Sequence, residues 1–535
     1  MTTDFAGSPL VETSDGQLYV LITGARGYLG YGIATRLIDE FLLLTKNSPE
    51  KKLTLIICTR SSSQSHLTIS RLRTHLETYV NSSPFADQKR AEAEAQGSKY
   101  KWKDLLQRVF FLGVEADFCD IKSVYALADK LVNHFVKSHN LSDTSVNKSS
   151  SNEYFLVKDV NQTSDGTEKK FTREAKKSLY QLPRIDAIVF TAGIGGWTGV
   201  RFDSLLKEFF SSPVEAMTRP KYNISKVGAL VKPQSSYKTG KESEKIELLS
   251  SDSKSHSNEP PLGEVFCSNL FGQYLLAHEL MPLLSKAPMS DSQYGGKIIW
   301  VSSIANHSDS FSLDDFQGLR SLSPYESSKR LMDLLILPCE TPSVNIRAAS
   351  FFDVSSTLSG RKKINQALSD QNNPKPVKPK NYVVHPGIFQ SNILPVPFIV
   401  ALICKLIFYM TRWLGSPWHT IHPYTAAIAP VQIALADYKT LDELGSTKVK
   451  WGSATDSAGN AMVRKTEVPD WGLDGNFVTG EMNDEGNRGS GVVSKDSIEA
   501  FELISAECWK NMEELREQWE TTLGLKPSAS AEQTF

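Results

Sequence analysis

A buried-strand pattern that runs into a glycine-rich turn decides the fold: Leu18-Tyr-Val-Leu-Ile-Thr23-Gly24-Ala-Arg26-Gly27-Tyr28-Leu29-Gly30-Tyr-Gly32. Residues 18–23 predict a strand, and residues 33–41 have the apolar spacing of a helix. Glycines at such a junction let the backbone turn tightly and bring N–H groups against a pyrophosphate at the helix N-terminus. The segment therefore predicts a dinucleotide site with contacts from Thr23, Gly24, Arg26, Gly27, Leu29 and Gly30.

Five more apolar runs, at 53–59, 109–114, 185–190, 297–302 and 382–384, alternate with amphipathic segments. This alternation predicts an α/β fold with a doubly wound, Rossmann-type parallel sheet. Polar stretches at about 138–180, 210–260, 355–380 and 445–495 predict surface insertions or disorder. The predicted organisation is a tail (1–16), a Rossmann domain (17–440) and a C-terminal extension (441–535) with a helix at about 496–523.

The bulk composition excludes some classes of function. A formal charge of −1 and a pI near 6.8 give no general attraction to nucleic acid. Six scattered cysteines without paired spacing predict reduced core thiols and no metal site. The first residues lack a basic region followed by an apolar stretch, so we expect no cleaved secretory signal and a chain that faces the cytosol.

Residues 394–414 form an apolar segment that departs from this pattern. Prolines lie at its start and Lys405 interrupts it, whereas a membrane-spanning helix needs about 20 mostly apolar residues. An interfacial helix, with its cations at the lipid headgroups, is the favoured interpretation. A spanning helix and a helix that covers a substrate pocket remain alternatives.

Tyr325 and Lys329 lie four residues apart in Ser321-Leu-Ser-Pro-Tyr325-Glu-Ser-Ser-Lys329-Arg330. Ser323 as N-cap, Pro324 as the first helical residue and Glu326 in a capping box predict a helix that places both side chains on one face. A tyrosine is a weak acid, with a reference pKa of about 10, and a nearby lysine stabilises its phenolate. This arrangement indicates proton transfer to a carbonyl oxygen.

The same spacing occurs at Tyr154/Lys158, Tyr222/Lys226 and Tyr237/Lys241, in polar segments without a preceding buried strand. We interpret those three pairs as solvated surface. Only Tyr325 follows a strand that ends in polar residues, Ser302 and Ser303.

Two arginines bear on the choice of cofactor. The second strand ends at Cys58-Thr59-Arg60, where an acidic residue would bind the ribose 2′-OH of NAD. Arg60 and Arg26 favour the 2′-phosphate of NADPH instead. Asp117, after the third strand, is placed beside the adenine or else starts the next helix, and Ala192 and Gly193 follow the fourth strand where the backbone can approach the cofactor.

These elements, in this order, resemble the short-chain dehydrogenase/reductase family. The resemblance rests on the glycine turn, Thr191-Ala192-Gly193, Asn269, Ser302-Ser303, Tyr325-x-x-x-Lys329 and His385-Pro386-Gly387. It is closest to the fungal 3-keto-steroid reductases of sterol C-4 demethylation, through Ser302-Ser303-Ile-Ala with Phe311-Ser-Leu-Asp-Asp-Phe-Gln317, the Tyr325 segment, Pro220-Lys-Tyr222-Asn-Ile-Ser-Lys226-Val-Gly, and Pro386-Gly387 leading to Ser391-Asn392.

The resemblance implies roles for individual residues. Tyr325 donates the proton, Lys329 lowers its pKa and holds the nicotinamide ribose, and Ser303 binds the carbonyl oxygen, with Ser302 as the rival serine. Asn269 holds a water that links Lys329 to solvent, or else is a polar residue satisfied within its helix. Pro386, Gly387 and Ser391 line the cofactor.

It also implies an NADPH-dependent reduction of 3-oxo sterols to 3β-hydroxy sterols in ergosterol biosynthesis. The expected location is the endoplasmic reticulum membrane, as a peripheral or monotopic protein, and lipid droplets. The expected partners are other enzymes of C-4 demethylation and their scaffold.

Two departures from the family pattern keep alternatives open. Tyr28 stands where common members carry a third glycine, so the turn is more similar to that of the extended branch, which includes sugar-nucleotide epimerases. Phe190-Thr191 replaces the usual Asn-Asn. An epimerase, a reductase of another lipid ketone and an NADPH-binding scaffold are the alternative functions.

Overall fold

The computed structural model describes residues 9–133, 136–138, 178–218, 222–237, 259–289, 292–358, 360, 375–391, 398–476 and 493–526. Much of the predicted insertions, residues 394–397 of the apolar segment, and the pair Tyr154/Lys158 lie outside these ranges.

A single eight-stranded sheet forms the centre of the molecule. Its strands are β1 Gln17–Ile22, β2 Lys52–Thr59, β3 Val109–Glu115, β4 Ala187–Phe190, β5 Lys297–Val301, β6 Lys380–His385, β7 Lys450–Thr455 and β8 Ala461–Thr466. The order is β3-β2-β1-β4-β5-β6-β7-β8, with every neighbouring pair parallel except β7 and β8. The first six strands have the order of the Rossmann fold, which confirms the predicted fold class.

The helices cover both faces of this sheet. They are α1 Tyr28–Leu44, α2 Ser62–Ser82, α3 Pro84–Ala95, α4 Trp102–Leu106, α5 Ile121–Asn133, α6 Phe202–Ser211, α7 Pro213–Thr218, α8 Glu264–Phe266, α9 Gly272–Glu279, α10 Met281–Leu284, α11 Pro324–Ile336, α12 Pro342–Phe352, α13 Phe398–Trp413, α14 Pro423–Ala426, α15 Ile428–Leu435, α16 Tyr438–Glu443 and α17 Lys495–Thr522. A π-helical turn, Cys267–Phe271, joins α8 to α9. Two short antiparallel pairs, Val136–Ser138 with Ser178–Tyr180 and Trp197–Val200 with Asn223–Ser225, lie outside the sheet.

The six strands predicted from apolar runs are all present, with bounds that differ by at most two residues. Inside the sheet their near-continuous apolar character follows from burial on both faces, as in β1, where residues 19–22 are at most 1% exposed. The edge strand β3 also contains partly exposed residues. Each face of the sheet carries its own hydrophobic core.

The prediction that residues 445–495 form a surface insertion or are disordered is wrong for the first part of this stretch, because β7 and β8 lie there. All six residues of β7 are buried, and its polar members are hydrogen-bonded. Ser453 Oγ, for example, accepts from Ala429 N at 3.1 Å and donates to Ala426 O at 2.7 Å. The sheet therefore continues past residue 440, where the sequence had placed the end of the domain. The stretch 210–260 likewise contains α7 and a short strand.

The predicted C-terminal helix is confirmed as α17, and it packs against the helix that carries Tyr325. Trp509 is fully buried, and its Nε1 donates to Leu335 O at 2.8 Å. Arg516, also buried, pairs with Glu520 at 2.6 Å and Glu513 at 2.7 Å. This helix closes one side of the core rather than extending from it.

Candidate active site

Tyr325 and Lys329 lie in the first turns of α11, with Pro324 at the first helical position as predicted. The predicted capping box is wrong. Ser323 is the N-cap but its side chain accepts no capping bond, and its own N–H donates to Ser321 Oγ at 3.0 Å. Glu326 is therefore not needed to satisfy that N–H, and its carboxylate is buried.

The Tyr325 ring is partly exposed and packs against Trp197, with ring centroids 4.9 Å apart. Burial raises the pKa of Tyr325 to about 12, a hydrogen bond from the Ser303 side chain acts to lower this pKa, and the Glu326 carboxylate acts to raise it. At neutral pH the phenol is protonated, so it can donate a proton.

The Lys329 ammonium lies 5.7 Å from the centre of the Tyr325 ring and donates to Val301 O at 2.7 Å. Burial lowers the pKa of Lys329 to about 7, while Asp333 acts to raise it and Lys450 to lower it. The lowering of the Tyr325 pKa by Lys329 stays a prediction.

The two neighbouring serines face different groups. Ser303 Oγ interacts with Tyr325 and accepts from Ala305 N at 3.1 Å. Ser302 is buried, and its Oγ points to the backbone carbonyl of Lys329 at 3.4 Å. The geometry thus brings Ser303, not the rival Ser302, to the tyrosine.

Asn269 lies in the π-helical turn, a feature common at functional sites. Its Oδ1 accepts from Ile194 N at 2.7 Å, and its Nδ2 donates to Ile194 O at 3.0 Å and to Ser328 Oγ at 3.2 Å. None of these bonds reaches Lys329. The side chain fixes the segment after β4, and its role in a water link stays a prediction.

The glycine turn has the close backbone approach that a bound pyrophosphate requires. Gly24 has φ of +62°, and a Cβ there would lie 2.8 Å from the Ala192 backbone. A Cβ on Gly30 would lie 2.5 Å from Gly24 O. Gly27 is the N-cap of α1 and Leu29 lies in its first turn. This cradle fits a dinucleotide whose phosphates sit at the N-terminus of α1.

Thr23 stabilises the turn through its side chain. It is fully buried, and its Oγ1 accepts from Thr191 N at 3.1 Å and Ala192 N at 3.3 Å. These bonds join the ends of β1 and β4 and keep Gly24 in close contact with Ala192. At Gly193 a Cβ would lie 2.9 Å from Asn269 Oδ1, so the next segment is equally close-packed.

Arg26 and Arg60 are exposed at the carboxyl edge of the sheet, Arg26 in the glycine turn and Arg60 at the end of β2. Sequence reasoning missed Ser61, which follows Arg60 and caps α2 by accepting from Gln64 N at 3.4 Å. Asp117 Oδ1 accepts from Cys119 N at 3.0 Å, so this oxygen shapes the turn before α5, as the second reading of Asp117 proposed.

The segment after β6 forms a tight turn. Gly387 has φ of +68°, and a Cβ there would lie 2.4 Å from Trp418 O. Pro386 O accepts from Thr420 Oγ1 at 3.0 Å. Ser391 lies at the end of this described segment and is partly exposed. The turn is at the same edge of the sheet as Tyr325 and the glycine turn, as parallel strands require.

Sequence reasoning missed two further residues near the site. Asp333 is four residues after Lys329 on α11, a spacing that could have revealed it. Lys450 lies on β7, and it bonds both Asp333 and the backbone of Ser303, 147 residues earlier in the chain. No local pattern marks Lys450.

Comparison with curated proteins gives close relatives over nearly the whole chain. The sequence is 34% identical over 523 residues to 3-keto-steroid reductase ERG27 of Gibberella zeae, with 95% of this chain and 96% of the relative covered. It is 32% identical over 519 residues to the protein of the same name from Aspergillus fumigatus, with 95% of each chain covered. The chain belongs to the 3-keto-steroid reductase family. The Saccharomyces cerevisiae member is 28% identical over 296 residues, which cover 55% of this reductase and 66% of the yeast protein.

No protein-family model matches the sequence. Among solved structures, a short-chain dehydrogenase from Mycobacterium avium is 12% identical with a TM-score of 0.33 and covers 91% of this chain and 95% of its own. Salutaridine reductase from Papaver somniferum is 12% identical with a TM-score of 0.30, covering 70% and 87%. These scores are low, and the fold of the reductase rests on the strand order given above.

Proposed function

We propose that this chain is an NADPH-dependent reductase that converts the 3-keto group of a sterol to a 3β-hydroxyl, in the C-4 demethylation steps of ergosterol biosynthesis. The observation that carries the proposal is the contact of Ser303 with a protonated, partly exposed Tyr325 in a chain that matches 3-keto-steroid reductases over 95% of its length. Membership in this family weighs against an epimerase. A scaffold role is compatible with catalysis.

Each residue of the site has its own role in the proposed reaction. Ser303 and Tyr325 bind the carbonyl oxygen, and Tyr325 gives it a proton as negative charge develops. Lys329, beside the tyrosine ring, adds positive charge and holds the ribose. The bound nicotinamide would supply the hydride. The glycine turn of Gly24, Gly27 and Gly30 would hold the pyrophosphate.

NADPH, rather than NADH, is proposed from Arg26 and Arg60. Both side chains are exposed, and a guanidinium binds a phosphate through charge-assisted hydrogen bonds. One such bond contributes about 1.5–3 kcal/mol. Arg60→Ala should therefore weaken NADPH affinity by about tenfold to a hundredfold and leave NADH affinity nearly unchanged. Equal loss for both cofactors would contradict the assignment.

The decisive experiment is reduction of a 3-keto sterol by detergent-solubilised protein with NADPH and, separately, NADH. Tyr325→Phe should abolish turnover and leave NADPH binding intact. Tyr79→Phe, which removes a partly buried hydroxyl on α2, is the matched control and should keep full activity. Absence of NADPH-dependent turnover with every sterol ketone would reject the proposed function.

We further propose that α13 lies in the surface of the endoplasmic reticulum membrane or of a lipid droplet. There the enzyme would take a sterol ketone from the lipid and bind other C-4 demethylation enzymes and their scaffold. Among the described residues, no helix is long and apolar enough to cross a membrane. Six large apolar residues of α13 and its end are 50–67% exposed: Leu402, Ile403, Leu406, Met410, Trp413 and Leu414. An unpaired apolar face of this size is typical of an interfacial helix.

This location is tested by flotation with phospholipid vesicles. Leu402→Asp with Leu406→Asp should release the protein from vesicles, because each charge would have to enter the acyl boundary. The control, Leu503→Asp with Ile504→Asp, changes two exposed apolar residues of α17. Undiminished flotation of the α13 variant would exclude α13 as the attachment site.

A further inference from the structure

A completely buried ion pair lies behind the proposed catalytic residues. Asp333 on α11 and Lys450 at the start of β7 both have side chains with no exposed surface, and Lys450 Nζ lies 2.7 Å from Asp333 Oδ2. Asn306 Nδ2 donates to the same oxygen at 2.6 Å. Burial of two charges carries a desolvation penalty that an apolar pair of similar volume avoids. Stability alone therefore does not explain this pair.

Both members of the pair adjoin groups that act in the proposed reaction. Lys450 Nζ donates to the backbone carbonyl of Ser303 at 2.5 Å. Asp333 is one helical turn after Lys329 and two turns after Tyr325, so the three side chains follow one face of α11. The second oxygen of Asp333, Oδ1, is buried and has no hydrogen-bond partner within the described part of the chain.

The two charges act on Lys329 in opposite directions: the Asp333 carboxylate raises the pKa of that ammonium and the Lys450 ammonium lowers it. On α11 itself, Tyr325 and Glu326 precede Lys329 by about one turn, and Arg330 follows it directly. Arg330 is directed to Asp470, at 2.7 Å. The protonation of Lys329 is therefore sensitive to the loss of either member of the pair.

We propose that the Asp333–Lys450 pair positions the reacting groups: Lys450 holds the Ser303 backbone, and the Asp333 carboxylate, one turn after Lys329 on the same face of α11, favours the charged form of that lysine. Both are positioning residues, since they act through Ser303 and Lys329. The inference rests on the proposed function only in assigning Ser303 and Lys329 to the reaction. It also gives β7, which lies beyond the predicted Rossmann domain, a part in the active site.

The test is to titrate Lys329 and monitor it by NMR in protein labelled with ¹³C-lysine. The Lys329 signal is identified as the one that is missing in Lys329→Met. Lys450→Met should raise the pKa of Lys329, and Asp333→Asn should lower it, each by on the order of one pKa unit. In steady-state kinetics, the alkaline limb of the pH profile should move in the same two directions, and kcat should fall in both variants.

The matched control is Lys297→Met. Lys297 is also a fully buried lysine at the start of a strand, where it donates to Ile433 O at 3.0 Å and Ala434 O at 3.1 Å. Its loss should reduce stability without moving the Lys329 titration. A shift of the same sign in Lys450→Met and Asp333→Asn, or no shift in either, would overturn the inference.

Two further outcomes distinguish a failure of this inference from a failure of the variants to fold and from a failure of the proposed function. If the single variants do not fold, Asp333→Leu combined with Lys450→Met replaces the pair by an apolar one. This double variant should fold and lose kcat, because Ser303 is no longer held, and wild-type kcat would refute the positioning role. If the wild type reduces no sterol ketone, the proposed function fails, while the NMR titration still decides the coupling of the pair to Lys329.

Discussion

Replacing each of the two adjacent serines by alanine should separate catalysis from packing. Ser303 Oγ contacts the hydroxyl of Tyr325, whereas Ser302 Oγ is directed at the Lys329 carbonyl at 3.4 Å. Loss of one preorganised donor to a developing oxyanion costs about 2.7–4 kcal/mol, or a factor of about 100 to 1,000 in kcat. We expect this loss for Ser303→Ala. For Ser302→Ala, which removes one long hydrogen bond, we expect at most a few-fold change.

The stability cost should be similar for the two serine variants, which makes them a matched pair. Ser303→Ala leaves Ala305 N without its 3.1 Å acceptor, and Ser302→Ala removes a bond to a backbone carbonyl. Each loss is worth about 1 kcal/mol of unfolding free energy. Activity is measured as NADPH oxidation with a 3-keto sterol, and stability by denaturant unfolding. Equal losses of kcat, or a larger loss in Ser302→Ala, would refute the assignment of Ser303.

Three further predictions follow from the structure. Since the pKa of Lys329 is lowered to about 7, its charged form is lost as the pH rises above 7. The value of kcat/KM for NADPH should therefore decline above pH 7, and Glu326→Gln should not remove this decline. A constant kcat/KM up to about pH 9 would contradict the prediction. Gly24→Ala places a Cβ 2.8 Å from the Ala192 backbone at φ of +62°, so it should abolish NADPH binding, measured by fluorescence titration; wild-type affinity would contradict the tight turn. Trp509→Ala should lower the free energy of unfolding by about 3–5 kcal/mol, and a loss below about 1 kcal/mol in denaturant unfolding would show that α17 does not close the core.

The sequence predicts those parts of this protein that short-range chemistry specifies. Strands inside the sheet, such as β1 and β2, are buried on both faces, so their residues are apolar in a nearly continuous run. The glycine turn and the spacing of Tyr325 and Lys329 are likewise local, since a turn and a helix fix which groups are close. The resemblance of these motifs to a known family then gave the function that the comparison with 3-keto-steroid reductases supports.

Local patterns were insufficient where a polar group has more than one possible partner. The capping box was expected from Ser323 and Glu326, but Ser321 supplies the bond instead. Asn269 was expected to hold a water beside Lys329 or else to be satisfied within its helix, and its side chain bonds both backbone groups of Ile194, 75 residues earlier in the chain. In both places the partner depends on the packing of the surrounding chain.

The sequence by itself determined the positions of the first six strands, the turn for a dinucleotide and the pairing of Tyr325 with Lys329. Only the tertiary structure brought β7 and β8 to the edge of the sheet and placed Lys450 against Ser303 and Asp333. The physical reason is that polar residues such as Lys450 are buried in this fold although they are not apolar. A lysine within a strand looks solvated in the sequence, and only the partners assembled by the fold, 117 and 147 residues away, make its burial possible.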